Sequence, residues 1–275
     1  MRINLSSQLR RQHETGFTLI ETLVTVGVLV AVLGIVFSYI GRLQRVYKTE
    51  ETKVDATQEA RTLLDSLQRE LHQAGFPGHN MYGPNVLNVP AVNDKRNAVG
   101  IVKISPSDLW FESDTDNDGR VESIRYTLMD AAGAAVTAAS SCPCNLRRSQ
   151  VLKADATAPT AQATNYVVAL DNVINSGGVG AGGAALALSG STTFSTGTSV
   201  ANDVLYAAYK APAIFTAYDQ NGTVVAATDI TTNPTGIATI RTITINLNLL
   251  TIFNDAQTKM KPALSMRTTV KLSNY

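Results

Sequence analysis

The chain is poor in the side chains that most chemistry needs: 275 residues hold two cysteines, three histidines and one tryptophan. Two cysteines exclude a disulfide framework holding the fold together. The pair, Cys142 and Cys144 in "SSCPCNLRR", can close only a small ring around Pro143, which stabilises little through chain entropy. A metal site on this pair would need more ligands, and His13, His72 and His79 show no ligand spacing to it. A local disulfide or plain thiol pair therefore stands beside a redox or metal role. The chain also lacks G-x-S-x-G, Walker A, H-E-x-x-H and dinucleotide-binding patterns, so no enzyme is expected. No excess of charge exists either: 23 Lys and Arg face 22 Asp and Glu, which argues against a dedicated nucleic-acid binder. Internal repeats are absent. Hydrophobic residues make up 44% of the chain, enough for a buried core.

One long apolar run is present, in "HETGFTLIETLVTVGVLVAVLGIVFSYIGRL". From Phe17 to Ile40, 24 residues carry one ionisable group, Glu21, and as a helix they span ~36 Å, enough for a ~30 Å hydrocarbon core. The preceding "MRINLSSQLRRQ" is basic, so the positive-inside rule keeps it cytoplasmic and exports the chain beyond the helix. Secretory signals are cut after their apolar region at small residues, yet here the run ends in "FSYIGRLQRV" and a Gly16–Phe17 junction precedes it. Glu21 is the anomaly. A carboxylate in a bilayer costs about 2.5–3.5 kcal/mol on insertion scales, so a partner is expected. The bland alternative is a glutamate snorkelling to the interface of a plain anchor. Gly27, Gly34 and Gly41 recur every seven residues near one face, which suits close helix approach or reflects simple tolerance of glycine in membranes.

"GFTLIE" before an apolar run resembles the N-terminal signature of type IV prepilins and type II secretion pseudopilins. The resemblance implies cleavage after Gly16 by a prepilin peptidase, N-methylation of the new terminus Phe17, and a role for Glu21 in assembly. Glu21 would set register against the terminal amine of a neighbouring subunit, and the first helical turn favours its negative charge. Many major pilins have a proline about twenty-one residues into the mature chain; this one has Ser38. A weaker likeness, in "LQRELHQAGF", "DLWFESDTDNDGRVESIRYTL", "NLRRS", "IRTITINLNL" and "RTTVKLSNY", is to PilW-type minor pilins and J-type pseudopilins. It implies a minor subunit at or near a pilus tip, helping to initiate assembly. A J-like pseudopilin, an adhesin and a DNA-uptake subunit are the alternatives. The implied partners are other minor and major pilins, the peptidase, the inner-membrane assembly platform and, before assembly, membrane lipid.

Helical periodicity continues past the membrane. Leu43, Tyr47, Val54, Leu64, Leu67, Leu71 and Ala74 recur at helical spacings, and Gly75, Pro77 and Gly78 stop the pattern. One helix from Phe17 to Ala74, 58 residues, would be ~87 Å long. Strands are expected in "NAVGIVKI", "SDLWFES", "RVESIRYTL", "NLRRSQVL", "NYVVALDNV", "DVLYAAYK", "AIFTAYD", "GIATIRTITINLNLL" and "MRTTVKLSN". "DAAGAAVTAASS", "KADATAPTAQAT" and "SGGVGAGGAALALSGSTTFSTGTS" between them lack bulky residues and read as loops. The expectation is an α+β, pilin-like fold: a cleaved leader (1–16), a membrane helix (17–40), its amphipathic continuation (41–74) packed on an antiparallel sheet, and a periplasmic β-rich domain (75–275).

No cofactor is required by any of this. "DTDNDGRVESIR" nevertheless opens like a calcium loop, with Asp114, Asp116 and Asp118 before Gly119 and Glu122 at the ninth position. Arg125 stands where the EF-hand pattern needs its bidentate glutamate. A structural Ca²⁺ site and a solvated, Asx-rich turn both fit.

Overall fold

The computed structural model describes residues 16–136, 141–175, 187–188, 206–255, 258 and 260–273. The leader before Gly16, with Arg2, Arg10, Arg11, His13 and Glu14, lies outside them, as does most of the Gly/Ala-rich stretch 176–199. Two compact units divide the chain, Met1–Tyr47 and Lys48–Tyr275.

Helix α1 runs from Leu19 to Gln73, 55 residues without interruption. Leu, Ala, Glu, Gln, Lys and Arg are frequent in its second half, all good helix formers. Gly75 ends it in the left-handed region (φ 82°), where a side chain would be strained, and Pro77 comes two residues later. In the first unit α1 carries a stretch long and apolar enough to cross a membrane. A methyl added at Gly27, Gly34 or Gly41 would meet nothing within 4 Å, so packing within one chain does not require these glycines.

In the second unit α1 buries Thr49, Ala60, Leu63, Leu64, Leu67 and Leu71. Val54, expected on the buried stripe, is 52% exposed, because the sheet covers the helix mainly from Ala60 onward. Each fully buried leucine contributes about 1.5–3 kcal/mol relative to exposure.

The sheet has strands β1 (Ile101–Ser105), β2 (Asp108–Ser113), β3 (Glu122–Met129), β5 (Cys144–Leu152), β6 (Tyr166–Val173), β8 (Phe215–Tyr218), β9 (Val224–Val225), β10 (Thr228–Asp229), β11 (Thr242–Leu250) and β12 (Ala263–Lys271). Its order is β10-β1-β2-β3-β5-β6-β11-β8-β9, with β12 also paired to β11, and every pairing is antiparallel. The fold is α+β. The two ends of that path, β9 and β10, are joined by only Ala226 and Ala227. Three Cα steps reach at most about 11 Å, so the sheet must curl until its ends nearly meet. The carbonyl of Pro106, after β1, accepts from the N–H of Ile214 at 2.8 Å beside β8, across the same gap. Leu109, Phe111, Ile124, Leu146, Ile243, Ile245 and Leu247 line the inner face and form one core with α1. A separate parallel pair joins β4 (Ser141–Cys142) to β7 (Ala187–Leu188).

Two expected strands differ. "AAYK" of "DVLYAAYK" is a short helix, α2 (Ala207–Lys210), with Tyr206 as its N-cap. Tyr206 and Tyr209, three residues apart, then share one side of a helical turn and pack with Ile174 and Leu250. "GIAT" likewise lies in helix α3 (Pro234–Thr239), capped by the Asn233 side chain, which accepts from Gly236 N–H. Strand β11 begins only at Thr242.

Candidate functional site

Three places bear the sequence-predicted residues, and the helix start is the first. Thr18 caps α1: its Oγ1 accepts from the N–H of Glu21 at 3.3 Å, and its carbonyl accepts from Thr22 at 3.1 Å. Thr18-Leu19-Ile20-Glu21 thus has the T-x-x-E spacing of a capping box, a signal present in the sequence and overlooked when Glu21 is read only as a charge. Gly16, Phe17 and Glu21 are all exposed, and Phe17 is 82% so. Among the described residues no ion pair reaches Glu21, while its first-turn position accommodates the negative end of a side chain.

The acidic loop between β2 and β3 is the second. It brings one oxygen from each of Asp114, Asp116 and Glu122 within 4.8 Å of one another. Asp114 and Glu122 are buried at 3% and 4% exposure because they sit at strand ends, whereas Asp116 is exposed at the tip. Asp118, expected in the same ligand set, stays outside this group. Its Oδ1 accepts from Arg120 N–H at 2.8 Å, an Asx turn that engages this oxygen with the backbone. The loop also holds itself: Asp114 accepts from the N–H groups of Asp118 (3.1 Å) and Gly119 (2.9 Å). Glu122 Oε2 accepts from Thr115 N–H at 3.0 Å and from its hydroxyl at 3.2 Å. Burial pushes the Glu122 carboxyl above its ordinary range; the Thr115 donors oppose this, and Asp116 and Asp114 add to it. Three converging oxygens of one charge sign suit a hard divalent cation, which would reverse that push.

A polar chain runs from this loop to α1. Thr115 Oγ1 accepts from Gln150 at 3.2 Å, and Gln150 accepts from Arg148 at 2.7 Å. Arg148 also pairs with Glu70 of α1 at 2.7 Å, and Tyr126 donates to the same carboxylate at 2.9 Å. None of this was visible from spacing.

The third place is Cys142 and Cys144, joined in a disulfide across Pro143 and both fully buried. Within the described residues no histidine approaches them as a metal ligand, the metal-competent group there being the acidic one. Comparison with protein-family models, curated proteins and solved structures returned no match.

Proposed function

We propose that this chain is a minor type IV pilin, a structural subunit and not an enzyme. A membrane prepilin peptidase cuts it after Gly16, Phe17 is N-methylated, and the subunit enters a filament at or near its tip, where it helps initiate assembly. The observation that carries this reading is "GFTLIE" at the start of an apolar helix that continues, unbroken, into the core of an antiparallel β-sheet domain. Before assembly the apolar segment holds the protein in the bacterial inner membrane, N-terminus cytoplasmic and sheet domain periplasmic. Its partners are other pilins, the peptidase and the assembly platform. Deletion is expected to abolish surface pili and twitching while exoprotein secretion continues. The opposite pattern, secretion lost and pili intact, would make the chain a J-like pseudopilin instead.

On the same reading the acidic loop takes a structural Ca²⁺ ion on Asp114, Asp116 and Glu122, fixing the β2–β3 hairpin. Calcium at about 100 times its dissociation constant adds ~2.7 kcal/mol, a rise of roughly 5–10 °C in Tm for a domain of this size. The rise should be seen with millimolar Ca²⁺ and vanish in Asp116→Ala. A wild-type Tm indifferent to Ca²⁺ would leave the loop as a self-bonded Asx turn.

A further inference from the structure

Strand β12 forms nine consecutive pairs with β11, from Thr242 with Lys271 to Leu250 with Ala263, without a bulge or proline. Two hydrogen bonds fix which way its backbone points. Leu272 N–H donates to Arg241 at 2.9 Å and Thr251 N–H to Pro262 at 2.9 Å, so bonded and non-bonded pairs alternate between them. Leu264, Met266, Thr268 and Val270 therefore turn their N–H and C=O toward β11. Ala263, Ser265, Arg267, Thr269 and Lys271 turn theirs outward, where no strand among the described residues meets them.

Side chains alternate along the same strand. Ser265, Arg267, Thr269 and Lys271 are exposed, while Leu264 and Met266 pack on the core yet stay half-buried. Their neighbours on β11, Leu247 and Leu249, are at most 2% exposed. Among the described residues no further strand covers this rim of the core. Charge on β12 has one sign: "ALSMRTTVK" holds Arg267 and Lys271 and no carboxylate. A second copy pairing here would bring like charges together, a device that protects edges from self-association.

We propose that the outer edge of β12 accepts an extended, acidic segment of another protein as an added strand. Main-chain hydrogen bonds give the affinity, alternate carboxylates meet Arg267 and Lys271, and the apolar residues between them close over Leu264 and Met266. This surface is independent of Glu21 and of the acidic loop, so it stands or falls apart from the pilin reading.

The test uses the full chain in detergent and a fluorescein-labelled nonapeptide alternating valine and glutamate. Binding should weaken with added salt. Ser265→Pro removes only an outward N–H, so the fold should keep its Tm while binding weakens by about tenfold. The charge-reversed variant Arg267→Glu/Lys271→Glu, also expected to fold, should transfer preference to a valine–lysine peptide. No binding of the acidic peptide, or equal binding of its backbone N-methylated form, would overturn strand addition. Self-association abolished by Ser265→Pro would overturn the choice of a foreign acidic partner.

Discussion

Glu21→Gln should insert, be cleaved after Gly16 and accumulate in the membrane, yet fail to enter filaments. On the proposed reading the substitution separates the charge of Glu21 from its place in the first helical turn. Gln serves as well as Glu at the third position of a capping box, so the first turn of α1 keeps its local bonds. Only the charge is lost. If Glu21 acts by pairing with the cationic terminus of a neighbour, that loss removes the interaction that offsets about 2.5–3.5 kcal/mol of intramembrane charge cost. Thr18→Ala is the complementary change: it removes the cap acceptor, worth about 0.5–2 kcal/mol, and leaves the carboxylate. Filaments should therefore contain Thr18→Ala subunits at reduced but measurable levels and exclude Glu21→Gln. Immunoblots of sheared filaments against membrane fractions give the comparison. Wild-type incorporation of Glu21→Gln, with exclusion of Thr18→Ala, would transfer the role from charge to capping.

Lys153→Met is the substitution with the largest expected cost in the sheet domain, about 3–5 kcal/mol or roughly 6–20 °C in Tm. Lys153 and Glu112 are both fully buried, with Nζ 2.6 Å from Oε2. The ammonium has three protons and three acceptors, the others being the carbonyls of Val92 at 2.7 Å and Asn97 at 2.8 Å. Lys153 therefore fastens the segment after α1 to strand β2 as well as neutralising Glu112. Met fills the space and strands the carboxylate. The double variant Lys153→Met/Glu112→Leu removes both charges and should recover much of the loss, though the two carbonyls stay unpaired. If the double variant is no more stable than Lys153→Met, the stranded charge is not the cause.

The pH dependence carries a sign. Burial already pushes the Glu112 carboxyl up, opposed by Lys153 and by Val99 N–H. Without Lys153 only the Val99 N–H opposes burial, so folded Glu112 holds its proton at pH values where the unfolded chain, with a carboxyl pKa of about 4.3, releases it. A raised folded pKa means stability declines as pH rises through that window. The deficit of Lys153→Met relative to wild type should therefore shrink toward pH 5 and widen at pH 8, as urea melts would record. An unchanged deficit would mean that Glu112 keeps another counter-charge.

These two residues also mark how differently sites can be read from the chain. Glu21 announced itself, because a carboxylate in an apolar run is a local anomaly. Lys153 did not: it lies in "KADATAPTAQAT", a stretch that reads as a loop for want of bulky residues, and its carboxylate partner is 41 positions away. The backbone there is loop apart from one 3-10 turn, Pro159–Ala161, and composition says nothing of the burial of Lys153. Of the acidic loop, spacing showed that carboxylates cluster. It did not show which of them converge: Asp118 stays outside the group, its Oδ1 bonded to the N–H of Arg120.

The sequence alone determined what depends on near neighbours. The apolar span, the helix end at Gly75 and the strands β2, β3, β5, β11 and β12 arise from periodicities of 3.6 and 2 and from residues that break them. Tertiary structure decided what depends on distant partners: which helical turns meet the sheet, that "AAYK" coils, that β9 and β10 bring the sheet's ends together, and that β12 pairs on one side only among the described residues. Local pattern fixes how a segment prefers to run, but burial and pairing are set by the segment that arrives opposite it, and alternation along one strand does not name its neighbour.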